Sequence, residues 1–139
     1  MKRYRSTAMK RYELRTGLAA AAYIVTLSAA LRFVGGGAVT GAPAFALALL
    51  PGLSVAGLFW AIGRLMVEET DEYIRMLLVR QALFATGLTL SVTTIWGFLE
   101  NFGLVPHVET FYIAVLWFAG RGLGAVYNWI TLGDSGPSR

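Results

Sequence analysis

The sequence has no cysteine and one histidine in 139 residues, and only 14% of it is charged. Without cysteine there is no disulfide, thiolate metal site, iron–sulfur cluster or cysteine nucleophile. With His107 as the single imidazole, zinc or haem sites built from histidines are excluded too. Also absent are a Gly-x-x-x-x-Gly-Lys-Ser/Thr loop, a strand-borne Gly-x-Gly-x-x-Gly and a Gly-x-Ser-x-Gly elbow. No repeat is visible. These absences point away from an enzyme, from a resident metal and from any cofactor.

What is present is apolar: 56% of the chain is hydrophobic, against about 45–50% in soluble domains. The charges are arranged. Six of the twelve basic residues, Lys2, Arg3, Arg5, Lys10, Arg11 and Arg15, precede Thr16. Uncharged runs then cover 16–31, 33–63 and 81–99, and a fourth, 110–133, is interrupted only by Arg121. A bilayer core needs about 20 apolar residues per helix. Gly35, Gly36, Gly37 and Pro43 divide the long second gap. The sequence therefore predicts an all-α integral membrane protein, a bundle of four transmembrane helices near 14–34, 43–66, 76–100 and 108–130. Helices are preferred to barrel strands because period-2 alternation is missing. The first run is too long for a cleavable signal peptide.

Flanking charge sets the expected orientation. The basic tail at 1–13 and the 64–80 connection, with Arg64, Arg75 and Arg80, belong in the cytoplasm, and the 131–139 tail with them. The 100–110 loop carries no Lys or Arg, and Arg32 can snorkel. Trp96, Phe98, Phe102, Phe111 and Tyr112 would mark one interface, and Trp60, Tyr73, Tyr127 and Trp129 the other. The net charge of +4 thus reads as a topology signal that touches anionic lipid headgroups, not as a nucleic-acid surface.

Arg121 is the charge that topology leaves unexplained. An arginine at mid-helix costs about 2.5–3.5 kcal/mol on insertion scales and is a functional candidate by default. Counting the helical rise from the cytoplasmic ends places Thr26, Ser54 and Thr89 within its reach. Thr86, Thr89, Thr93, Gly97 and Glu100 recur at three- and four-residue steps and form one small, polar face. The expectation is a polar layer of Arg121, Thr89, Thr93, Ser54 and Thr26 that serves an anion or polar solute. The other reading is a packing arginine stacked on Trp117 at i−4. Pro51, with Gly52, Ser54 and Gly57, suggests a local break in the second helix. Gly57/Ala61 and Gly17/Ala21 are generic packing pairs.

The second cluster is Glu68-Glu69-Thr70-Asp71-Glu72-Tyr73-Ile74-Arg75. It lacks the spacing of a calcium loop or of a diiron bundle. Asp71 and Glu72 favour a helix N-terminus, and both are spaced to pair with Arg75. Glu68, Glu69, Asp71, Glu72 and Arg75 form a candidate cytoplasmic surface that could dock the basic tail or a basic partner. His107, beside Glu109, is expected to cap or solvate its loop.

The stretch Asp71-Glu72-Tyr73-x-Arg75, then Ala82, Gly87 and Thr89, then Trp96-Gly97-Phe98-Leu99-Glu100 with Gly103 and Pro106, resembles a group of uncharacterised small bacterial inner-membrane proteins. The resemblance covers roughly 60–125. It implies an inner-membrane location, a four-helix plan and a cytoplasmic regulatory partner of the helix-turn-helix kind, but no activity. The basic C-terminal cluster of that group is missing here, where Arg139 stands alone. Two functions remain open: an accessory or regulatory membrane component, or a small transporter or channel, working as a homodimer, that passes an anion or polar solute by Arg121. No carboxylate lies between the two interfaces, away from the span ends, which argues against proton-driven cation export.

Overall fold

The computed structural model describes residues 6–134 and Gly136. Lys2, Arg3 and Arg5 of the basic tail, and Arg139, lie outside the described residues. The chain is all-helical, with no strand among the described residues: α1 Thr7–Ala29, a π-helical turn Ala30–Val34, α2 Ala42–Glu68, α3 Glu72–Asn101 and α4 Tyr112–Leu132. It divides into two units, one ending at Glu69 and one starting at Thr70.

The first unit is an antiparallel hairpin of α1 and α2. α1 starts a full two turns before the expected 14, because the Ser6 hydroxyl accepts the Met9 N–H at 3.1 Å and so satisfies an orphan donor of the first turn. Lys and Arg are good helix formers, so the helix runs through Lys10, Arg11 and Arg15. At its far end the hydrogen bonds widen: Gly35 N–H reaches Ala30 O at 3.1 Å, and the expected glycine turn follows. Pro43 opens α2, where a missing N–H costs nothing, and Pro51 lies inside the helix. Gly57 packs towards the Ala19 methyl, and Ala61, Ile62 and Leu65 are buried.

The second unit is the α3–α4 hairpin. Asp71 caps α3 by accepting the N–H groups of Tyr73 and Ile74 at 2.9 and 3.2 Å, which moves the start from the expected 76 to Glu72. α4 starts at Tyr112 rather than 108, after tight turns in which the Tyr112 N–H donates to Glu109 O and the Ile113 N–H to Thr110 O, both at 3.1 Å. Gly133 closes α4 in the left-handed conformation.

One stripe on each helix makes the seam. On α3, Leu77, Gln81, Ala85 and Thr89 are buried, and on α4 Gly120, Gly124 and Asn128. Each four-residue step along α3 is matched by a four-residue step back along α4. A Cβ on Gly120 would meet Ala85 Cα at 3.0 Å, and one on Gly124 would meet Gln81 Cα at 3.0 Å and Gln81 O at 3.2 Å. The Asn128 amide then donates to Leu77 O at 3.1 Å.

Three helical stretches, Thr7–Val34, Ala42–Glu68 and Glu72–Asn101, are long and apolar enough to cross a membrane. α4 has 21 residues, about 31 Å of helix, but Arg121 and Asn128 lower its apolar character. The buried apolar core is small, whereas Phe45, Val67, Phe102 and Ile130 are each about 70% exposed. That distribution is the reverse of a water-soluble fold's.

Replacing Gly124 by valine should therefore cost about 1–3 kcal/mol through overpacking, read as a lower melting temperature in detergent. Gly122→Ala, with open space at its Cβ, should be neutral or stabilising by up to about 1 kcal/mol. Equal melting of the two variants would contradict the seam.

Candidate functional site

The first candidate is the mid-helix polar group around Arg121. Helical side chains lean to the N-terminal side, and the Arg121 guanidinium accordingly lies over the Trp117 ring, 5.9 Å from its centroid. Trp117 is itself fixed, its Nε1–H donating to Thr86 Oγ1 at 3.0 Å. Arg121 Nε is sealed from solvent and meets no acceptor among the described residues. Thr89 is 3% exposed, and its hydroxyl likewise has no partner there. Thr93 donates back to Thr89 O at 2.7 Å.

Arg121, Trp117, Thr86, Thr89 and Thr93 thus share one hairpin. Thr26 and Ser54 lie on the other, and their hydroxyls turn to their own helices: Thr26 donates to Ala22 O at 2.7 Å and Ser54 to Leu50 O at 3.0 Å. Sequence reasoning missed Asn128 and Gln81, both buried. The signal was there in the four-residue spacing Gly120–Gly124–Asn128. Asn128 Oδ1 is buried and meets no donor among the described residues. Near it, Arg80 lies 5.6 Å from the Tyr127 ring, which stacks on Phe84 at 5.8 Å.

The second candidate is the charged junction. Glu68 accepts a two-pronged pair from Arg15, Nη1 to Oε2 and Nη2 to Oε1, both at 3.0 Å. Arg64, one turn earlier, adds Nε at 3.0 Å and Nη2 at 2.5 Å to Oε1. The Arg15 guanidinium also lies 5.2 Å from the Trp60 ring centroid. Planar fork-to-carboxylate contact of this kind is the strong form of an ion pair. Glu69 is 4% exposed and accepts from the Ser6 hydroxyl at 2.8 Å. These two carboxylates fasten the start of α1 to the end of α2. Beyond them Asp71 caps α3, and Glu72 pairs with Arg75 while its side chain stays 85% exposed.

A third cluster closes the α3–α4 loop. His107 Nδ1 lies 2.5 Å from Glu100 Oε1, Glu100 Oε2 accepts from Val108 N–H, and Trp96 Nε1–H donates to Pro106 O at 3.3 Å. The hydrogen bond and charge of Glu100 raise the His107 pKa above 6.5 against an opposing desolvation, with a lesser contribution from Glu109.

No family model, curated protein or solved structure matches the chain. The geometry is therefore what bears on function.

A raised histidine pKa stabilises the folded loop most fully below 6.5, and that contribution is lost as pH rises through the raised value. Glu100→Gln should bring the His107 midpoint down towards the ordinary imidazole value. Imidazole proton resonances are unambiguous with one histidine. If both proteins titrate together, the pair does not form.

Proposed function

We propose that the chain is a bacterial inner-membrane protein of the small group it resembles, crossing the bilayer four times with both termini in the cytoplasm. The support is the exposed apolar mid-section of the helices, with charge collected at their ends, as a lipid-facing surface requires. α4 is the fourth span in this reading. Its Asn128 turns to α3, donating to Leu77 O, and its Arg121 lies along its own helix on Trp117.

Its role is that of an accessory or regulatory membrane component, without enzymatic activity, that binds a cytoplasmic partner. The observation that carries this is the division of labour among the junction carboxylates. Glu68 and Glu69 hold α1 in place, so the partner surface consists of Asp71, Glu72 and Arg75. Exposed Lys10 and Arg11 meet anionic lipid headgroups.

A second reading has its own observation, the sealed Arg121 Nε and Thr89 hydroxyl. In it the protein, as a homodimer, passes an anion or polar solute.

With no native cysteine, single cysteines report topology cleanly. In intact cells an impermeant maleimide should label Leu104→Cys and spare Thr7→Cys and Thr70→Cys; the reverse pattern would overturn the orientation. Gentle purification with lipids, then native mass measurement, should give a mass that is no multiple of the 15.1 kDa chain. Glu72→Lys with Arg75→Glu should remove the excess. Integer multiples alone would discard the partner reading.

A further inference from the structure

Arg121 is permanently charged. An isolated charge in an apolar setting is costly unless something compensates it. The sequence contains eight carboxylates: Glu13, Glu68, Glu69, Asp71, Glu72, Glu100, Glu109 and Asp134. None stands at mid-helix. In the α3–α4 register Arg121 lies level with Phe84, so along α3 Glu72 is about 18 Å away and Glu100 about 24 Å. No side chain spans those distances. Within its own hairpin Arg121 finds an aromatic face and no acceptor for Nε.

Thr89 supplies an independent observation. A threonine inside a helix commonly donates to a carbonyl one turn back, as Thr26 and Thr93 do here. Thr89 does not, although it is buried. Through the lean of Arg121 onto Trp117, guanidinium and hydroxyl come to about the same level of the hairpin. Trp117 takes one face of the guanidinium, so its edge is what can serve a ligand. That edge offers donors only.

We propose that Arg121 and Thr89 bind one small, weakly hydrated monovalent anion, of the halide or nitrate class. This rests on the second reading above and names its ligand. One guanidinium neutralises one negative charge, whereas a dianion would leave an uncompensated charge at the centre of the bilayer. A weakly hydrated anion gives up its water at the least cost. The ion supplies the counter-charge that the described residues of this hairpin do not bring to Arg121, and the Thr89 O–H adds a donor.

Trp117, in contact with the guanidinium, is the reporter. With Trp60, Trp96 and Trp129 replaced by phenylalanine, Trp117 is the sole tryptophan. In lipid nanodiscs, iodide titrated against gluconate at constant ionic strength should quench it along a saturating curve, which nitrate competes away and sulfate does not. Thr89→Ala should weaken the midpoint at least threefold. Arg121→Gln should leave only linear, collisional quenching. Should Arg121→Gln fail to fold by circular dichroism, Arg121→Lys keeps the charge without the fork and should shift the midpoint at least threefold. Linear quenching of equal slope in wild type and variants overturns the proposal, as does equal competition by sulfate. Iodide flux into liposomes, run in parallel, separates the two ideas. Saturable binding without flux keeps the site and removes transport. Flux with linear quenching removes the site.

Discussion

The approach of two helix backbones at Gly120 and Gly124 governs the α3–α4 hairpin. Ala85 and Gln81 lie where side chains on those two positions would have to go. Once the helices meet there, the remaining contacts follow from the helical repeat. Asn128 arrives at the Leu77 carbonyl one turn along, and Trp117 reaches Thr86 in the opposite direction. Arg121 is carried into the hairpin because it adjoins Gly120 and leans on Trp117. Small residues allow close packing where side-chain burial offers little driving force.

The α1–α2 hairpin is closed differently. Its end is fastened by charge, with Glu68 between Arg15 and Arg64 and Glu69 under Ser6. A two-pronged pair with Arg15 orients both side chains, so it locates the end of α2 against α1. Both carboxylates are committed within the fold, and the exposed acidic and basic groups that follow belong to the start of α3. The short segment Glu68–Arg75 thus holds two kinds of charge with two different jobs.

Four helices were legible because long uncharged runs are rare and the glycine and proline breaks between them are specific. Their ends were less so. Hydropathy stops at a charge, whereas α1 continues through Lys10 and Arg11 because Ser6 caps it and basic residues suit a helix. α4 begins late because residues 109–113 first close tight turns of their own, which hydropathy does not register. The Glu72–Arg75 pair and the Arg121–Trp117 stack could be read from helical spacing alone. Arg15–Glu68 could not, since its partners come from different helices and only the fold brings them together. Thr26 and Ser54 were placed by depth, but depth does not say that a hydroxyl will turn back to its own helix. Asn128 was overlooked as a lone polar residue in an apolar run, although it continues the glycine stripe.

The register of the second hairpin is the claim from which the position of Arg121, the burial of Asn128 and the anion site all derive. Nuclear Overhauser contacts in micelles, with glycine and alanine labelled, measure it directly. The account predicts cross-peaks from Gly120 Hα to the Ala85 methyl and from Gly124 Hα to Gln81. A cross-peak from Gly124 Hα to the Ala85 methyl, with none from Gly120, would mean a slip of one helical turn and would contradict it.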